Sequence, residues 1–332
     1  FSIMNCRNIM SFIAMFFLIG IGNVFAQEAT WPAKTTYHFQ EVHGHKIFYR
    51  TAGDPSQPTI LLLHGYPSSS HTYRELIPLL SGRYHIIAPD NLGSGYSDKP
   101  DPAQTNYDFD LLAEHITGLL KASNIQNYVI YMQDFGAPVG YRVMMHDPSK
   151  VQAIIAQNAN AYLEGIPKAK QNFFNNAQLD KSPENVKKLY NFTSSDAVKY
   201  KQYLRDIKGK EEIMSPDSWT HDSHFLQTDK ERYIQVALFQ DYKTNLDRYP
   251  EWQAFLRKYQ FPMLLVWGKN DPVFMVSGAK AYLKDLPNAE VHLLDAGHFA
   301  VEEKPVEIAK HIINFMDRLV VDEGRIQELH PY

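Results

Sequence analysis

Three side chains that follow apolar runs carry the chemistry open to this sequence. The run Tyr128-Val-Ile-Tyr-Met-Gln133 leads into Asp134, and a helical pattern opens almost at once at Ala137-Pro-Val-Gly-Tyr141. Strand, sharp turn and helix in that order make a nucleophile elbow, which lifts one side chain above a sheet. Here that side chain is a carboxylate. Gly136 supplies the small residue two positions later, but Met132 stands where the serine form of the motif has its first glycine, and Gly-x-Ser-x-Gly occurs nowhere in the chain. A serine esterase or lipase is therefore disfavoured. Asp271, in Trp267-Gly-Lys-Asn-Asp271-Pro, follows a later apolar run, and His298, in Gly297-His298-Phe, follows the next one. The order nucleophile, acid, histidine lets Asp271 hold an imidazole while His298 acts as a general base. His64-Gly65-Tyr66-Pro67 follows another run, so the backbone N–H groups of Tyr66 and Phe135 are candidates for an oxyanion hole.

The elements that must position these groups alternate along the chain. Short runs at Lys46–Arg50, Thr59–Leu63, His85–Ala88, Tyr128–Met132, Val151–Ile155, Met263–Trp267 and Val291–Leu294 read as strands. The near-continuous apolar character of the later ones predicts a mostly parallel sheet covered by helices on both faces, an α/β fold. Between about Tyr162 and Tyr259 the alternation stops and the sequence turns polar, helical and rich in Tyr, Phe, Lys and Asn. An inserted helical segment between two strands reads as a cap over a catalytic core. The expected organisation is a first core part over residues 31–161, a cap over 162–259, a second core part over 260–320 and a loosely attached tail over 321–332.

Composition narrows the function. The chain has 332 residues, 44% of them hydrophobic, which is ordinary globular usage. A formal charge of −4, without a long basic block, argues against a nucleic-acid partner. The single cysteine, Cys6, lies in the extreme N-terminal segment, so an intramolecular disulfide, a Cys-based zinc site and a cysteine nucleophile are all excluded. The histidines lack His-Glu-x-x-His spacing and Gly93-Ser-Gly95 lacks the lysine of a phosphate loop, so neither metal nor cofactor is expected. Residues 1–26 read as a secretory signal peptide, with Arg7 ahead of an apolar stretch and small residues ending at Ala26. That reading makes the protein secreted or periplasmic, without stable membrane insertion once the leader is removed.

The quoted motifs, together with Asp90-Asn-Leu-Gly-Ser-Gly-Tyr-Ser97, resemble those of the α/β-hydrolase superfamily. The resemblance runs from about Tyr37 to Leu319 and is nearest to the aspartate-nucleophile branch of epoxide hydrolases and haloalkane dehalogenases. It implies an α/β-hydrolase fold and a two-step reaction of a small apolar epoxide or alkyl halide with water. Asp134 attacks carbon to form an ester, and His298 then activates water against that ester. An epoxide oxygen leaves as an alkoxide and needs an acid, usually a cap tyrosine; a halide needs N–H donors. Dehalogenases of this branch typically carry Trp after the nucleophile and often Asn in the His-Gly-x-Pro loop. Phe135 and Tyr66 occupy those positions, which favours epoxide hydrolysis over the alternative of dehalogenation. Tyr242, in Gln240-Asp-Tyr242-Lys, is the expected proton donor, with Tyr162 a second candidate and Tyr190, Tyr200 and Tyr203 competing. Phe173, Phe174 and Trp219 are candidate cavity walls. A non-catalytic ligand-binding or interaction protein on the same fold is the reading from a different class.

Overall fold

The computed structural model describes residues 33–329, so the leader expected at residues 1–26 lies outside it. Eight strands are present: β1 (Thr36–Val42), β2 (His45–Ala52), β3 (Thr59–Leu63), β4 (His85–Pro89), β5 (Tyr128–Gln133), β6 (Val151–Gln157), β7 (Met263–Gly268) and β8 (Glu290–Leu294). They form one sheet in the order β1-β2-β4-β3-β5-β6-β7-β8. The β1–β2 and β2–β4 pairs are antiparallel and the rest are parallel.

Strand side chains alternate between faces, which explains the uninterrupted apolar runs. Leu61, Leu63, Ile130, Met132, Ile154 and Trp267 enter the core on one face, where the inserted helices also pack. Ile60, Leu62, Val129, Tyr131, Ile155 and Val266 enter the core on the other, against the helix Pro305–Leu329. Both faces being dry, every position in a central strand must be apolar. β1 escapes recognition from sequence because it is an edge strand with one partner, and its Tyr37 and Phe39 are exposed. The helix Pro305–Leu329 runs through much of the stretch read as a tail.

Between β6 and β7 the described chain is helical, with longer helices at Lys168–Leu179, Pro183–Phe192, Pro216–His224 and Asp229–Tyr259. The last begins at a capping box in which Thr228 and Glu231 satisfy each other's backbone N–H, and it ends where Gln260 adopts a left-handed conformation. These helices and the sheet form one compact unit. Among the described residues no helix is long and apolar enough to cross a membrane.

In parallel strands the carboxyl ends collect at one edge, the usual place for a site in such sheets. That edge carries His64 to Tyr66 after β3, Asp134 after β5, Asn158 after β6, Asp271 after β7 and His298 after β8. The helix Gly136–His146 starts directly beneath β3. A Cβ on Gly136 would lie 2.2 Å from the Leu63 carbonyl oxygen, so the helix can approach this closely only with glycine there. Gly136→Ala should destabilise the protein by about 2–4 kcal/mol. The check is a lower urea midpoint at unchanged slope; an unchanged midpoint would show that the helix can retreat without loss.

Candidate active site

Asp134 occupies the elbow with φ at 52°, a left-handed conformation that is costly for any residue with a Cβ. The turn is held from both sides: the Asp134 N–H donates to the Asn158 carbonyl at 3.2 Å, and its own carbonyl accepts from the Ala137 N–H at 3.0 Å. A Cβ on Gly65 would meet the Asp134 Cβ at 2.3 Å, so the glycine of His64-Gly65-Tyr66-Pro67 makes room for Asp134. The Tyr66 N–H donates to Asp134 Oδ1 at 2.7 Å. The loop bearing Tyr66 is fixed by His64, whose Nδ1–H donates to the Gly65 carbonyl at 2.9 Å while Nε2 accepts from the Asn91 N–H at 3.0 Å. Burial keeps that imidazole neutral, consistent with its one-donor, one-acceptor pattern. Phe135 is the N-cap of the helix Gly136–His146, so its N–H lies at the positive end of that helix.

The other carboxylate oxygen, Asp134 Oδ2, lies 3.4 Å from His298 Nε2, and His298 Nδ1 lies 2.6 Å from Asp271 Oδ2. All three residues are buried. Burial pushes the His298 pKa down, but the Asp271 and Asp134 carboxylates outweigh it and hold the imidazole well above its ordinary value. Burial would likewise raise Asp271, yet charged His298 and Arg205 keep it below the usual carboxylate range. Asp271 also accepts from the Val273 N–H at 2.8 Å and from Asn158 Nδ2 at 3.0 Å. Gln133 Nε2 lies 3.2 Å from His298 Nε2 while its buried Oε1 has no partner among the described residues. Turning that amide over would present Oε1 to a protonated His298, so Gln133 can serve either state of the ring.

Above the triad is a small cavity walled by Tyr66, Phe135, Phe174, Phe192, Phe239 and Phe274, with Lys170, Gln202 and Arg205 as its polar lining besides Asp134 and His298. Its free space is about 30 Å³, enough for a water or two, so larger molecules require the aromatic side chains to move. Arg205 pairs with Asp206 and, at 3.3 Å, with Asp271. Asp206 in turn accepts from the His298 backbone N–H at 3.0 Å, clamping the histidine loop to the inserted helices.

The structure thus brings Asp134, Asp271, His298, Tyr66 and Phe135 together and leaves the expected tyrosines elsewhere. Tyr242 lies behind the wall: its ring stacks on Phe174 at 4.0 Å between centroids and tilts against Phe135 at 5.1 Å. Its place is a packing position, because helix Asp229–Tyr259 turns that face into the aromatic core. Tyr162 donates its hydroxyl to Asp285 Oδ2 at 2.6 Å and is no part of the lining. Tyr203 and Tyr190 bond to Asp222 and Asp229, and Tyr200 is exposed. Phe174 is a wall residue; Phe173 packs behind it, and Trp219 belongs to a separate cluster around Val198 and Met214. Lys170, Gln202, Arg205 and Asp206 escape sequence reading, since nothing in their polar surroundings marks which face of a helix meets the cavity. Among the described residues no group of His, Cys, Asp or Glu is placed to hold a metal ion.

The raised His298 pKa has a definite sign: the ring stays protonated above its ordinary value of 6.5 for as long as both carboxylates face it. Replacing Asp134 by Asn, which tolerates the left-handed backbone, removes one of them. The His298 midpoint followed by NMR should then move to lower pH than in the native protein. A midpoint that stays put or rises would show that Asp134 does not hold the proton.

Residues 58–305 match the family model described as alpha/beta hydrolase fold. An uncharacterized hydrolase of Saccharomyces cerevisiae is 40% identical over 282 residues, which cover 84% of this chain and 96% of the yeast protein. The crystal structure of haloalkane dehalogenase DbeA from Bradyrhizobium elkani superposes with a TM-score of 0.74 at 20% identity, over 87% of this chain and 100% of that one. The epoxide hydrolase CorEH superposes with a TM-score of 0.69 at 21% identity, over 86% and 100%. At such identities the two structures speak for the fold alone. With an eight-stranded sheet, an elbow at Asp134 and a family match across both sides of the inserted helices, this chain belongs to the α/β-hydrolase family.

Proposed function

We propose that this hydrolase opens small epoxides to vicinal diols through an alkyl ester on Asp134. The observation that carries the reading is the nucleophile itself: a carboxylate, buried at a strained elbow, with one oxygen on the Tyr66 N–H and the other facing His298. A carboxylate is anionic at neutral pH and can attack saturated carbon without a base to deprotonate it. Once alkylated, Asp134 loses its charge, one of the two carboxylates raising His298 is gone, and the imidazole can release its proton. Neutral His298, oriented by Asp271, then takes a proton from water as the water oxygen attacks the ester carbonyl. The carbonyl oxygen that becomes anionic is met by the Tyr66 N–H, with the Phe135 N–H at the helix end as its partner. The positions beside the nucleophile that would offer a side-chain N–H to a halide hold Phe135 and Tyr66, which supports an epoxide over an alkyl halide. Haloalkane dehalogenation remains the second reading, favoured by the side-chain N–H donors of Gln202 and Lys170 in the cavity lining.

The same proposal has the enzyme exported by the leader at residues 1–26. Protein recovered from its native host should then begin at Gln27, as N-terminal sequencing would show; an intact leader on the recovered protein would refute export by cleavage.

Purified protein lacking the leader should convert small aliphatic or aryl epoxides to diols, and Asp134→Ala should abolish the conversion. His298→Gln should stall after the first step, leaving the peptide that contains Asp134 heavier by the mass of one epoxide. Halide release from haloalkanes, with no diol from any epoxide, would replace this reading with the second.

A further inference from the structure

Two charged side chains of the cavity lining, Arg205 and Lys170, stand outside the set Asp134, Asp271 and His298. Lys170 belongs to the helix Lys168–Leu179, and its chain lines the same small space as Asp134 and His298. Other cations near the site meet carboxylates: Arg205 meets Asp206 and Asp271, and Arg142 meets Asp110. Lys170 instead meets aromatic rings. Its Nζ lies 4.5 Å from the Phe173 centroid, 5.0 Å from that of Phe192 and 5.6 Å from that of Phe174. Ring faces hold an ammonium by its charge while leaving its N–H donors for whatever enters the cavity.

Epoxide opening needs such a donor, because the ring oxygen departs as an alkoxide. Of the tyrosines expected to supply the proton, Tyr162 donates to Asp285 and Tyr242 packs its ring on Phe174 outside the lining, and the Tyr66 hydroxyl, although its ring lines the cavity, donates to the Phe192 carbonyl at 3.1 Å. We infer that Lys170 is the acid that protonates the departing oxygen when Asp134 opens the epoxide ring. The inference rests on the epoxide reading of the site.

The step balances. An Asp134 carboxylate oxygen forms a bond to a ring carbon, the bond from that carbon to the ring oxygen breaks with its electron pair going to oxygen, and a Lys170 proton moves to that oxygen. The result is a hydroxyalkyl ester and a neutral amine. The proton that His298 releases on losing the Asp134 charge restores Lys170. In the second step one water proton goes to His298 and restores it, the ester bond from the Asp134 carbonyl carbon to the alcohol oxygen breaks with its electron pair going to that oxygen, and the other water proton passes to it from the new Asp134 carboxyl, so the cycle consumes one epoxide and one water.

The surroundings tune the lysine for this task. Burial and the Arg205 charge push its pKa down to about 8, against the opposing pull of Asp134 and Asp271. It is then still protonated at neutral pH but far closer to giving up the proton than an ordinary lysine. Tyr66, whose hydroxyl burial keeps protonated, and His298 are the remaining titratable groups of the lining, and the His298 charge falls when Asp134 is alkylated, the moment at which Lys170 must recover a proton.

The test measures ester formation on Asp134 in single turnovers, by rapid quench and mass spectrometry, in the His298→Gln background that traps the ester. Lys170→Met should slow ester formation from an epoxide by about 100-fold or more at pH 7, and Lys170→Arg, which keeps the charge but not an acid of useful strength, should not restore it. Parent ester formation should also fall as pH rises through the lysine value, and that alkaline limb should be absent in Lys170→Met. A lysine that merely packs against the rings would be replaced by arginine with recovery, and the alkaline limb would survive in both variants. Ester formation in Lys170→Met at the parent rate would overturn the lysine assignment while leaving the Asp134 chemistry standing. A parent that forms no ester with any epoxide would overturn the epoxide reading and the lysine assignment together.

Discussion

Taking an ionised group out of water costs several kcal/mol, and Asp134, His298 and Asp271 are all buried. Their burial is tolerable because the charges alternate negative, positive, negative along one line, with His298 Nε2 3.4 Å from Asp134 Oδ2 and His298 Nδ1 2.6 Å from Asp271 Oδ2. The same alternation makes the site responsive. Any event that neutralises Asp134 leaves the imidazole with one counter-charge, lowers its proton affinity and turns it from a held cation into a base. The switch between the two steps of the proposed reaction is therefore a consequence of the electrostatics and requires no movement of the backbone.

Holding three charges in register demands stiff surroundings, and the loops around the sheet edge supply them. Asn158, itself at a positive φ of 44°, accepts from the Gly268 N–H at 2.8 Å, donates to Asp271 and takes the Asp134 N–H on its carbonyl. One residue after β6 thus ties the Asp134 turn to the Asp271 turn. Asp90 plays a similar part on the other side: it accepts from the Ser70 N–H at 2.7 Å and the Tyr96 N–H at 2.8 Å, bracing the loops on that side of the edge. The strain at Asp134 is carried by these bonds and by the two glycines that let β3, its loop and the following helix come within contact of the elbow. Distributed support of this kind is what keeps a left-handed aspartate in place.

The inserted helices contribute dryness and charge. Their phenylalanines close the space above the nucleophile, and in a water-poor space each remaining charge acts more strongly than it would in solvent. Asp206 grips the histidine loop from this side, so the cap is bound to the catalytic edge as well as covering it. An ammonium caged by rings is a sensible inhabitant of such a space: its charge is met without a carboxylate that would compete for its protons.

How much of this was legible in the sequence follows from burial. Central strands dry on both faces give apolar runs with sharp ends, so the residues just past each end stand out in the sequence, as Asp134, Asp271, His298 and the Tyr66 loop do. The edge strand β1 does not stand out because nearly all of it faces water and no apolar run marks it. The cap was recognised as helical, but a helical pattern does not say which face meets the cavity when the helices pack on one another and on the core. That ambiguity is why Tyr242 and Tyr162 looked available when packing and Asp285 had claimed them, and why Lys170 and Arg205 drew no attention. The chain alone determined the fold and the placing of Asp134, Asp271 and His298 each just past the end of a strand, because those are properties of residues next to one another along a strand and its turn. Which side chains share the cavity with Asp134 was decided by tertiary packing, because that juxtaposition belongs to how separate helices settle over the sheet.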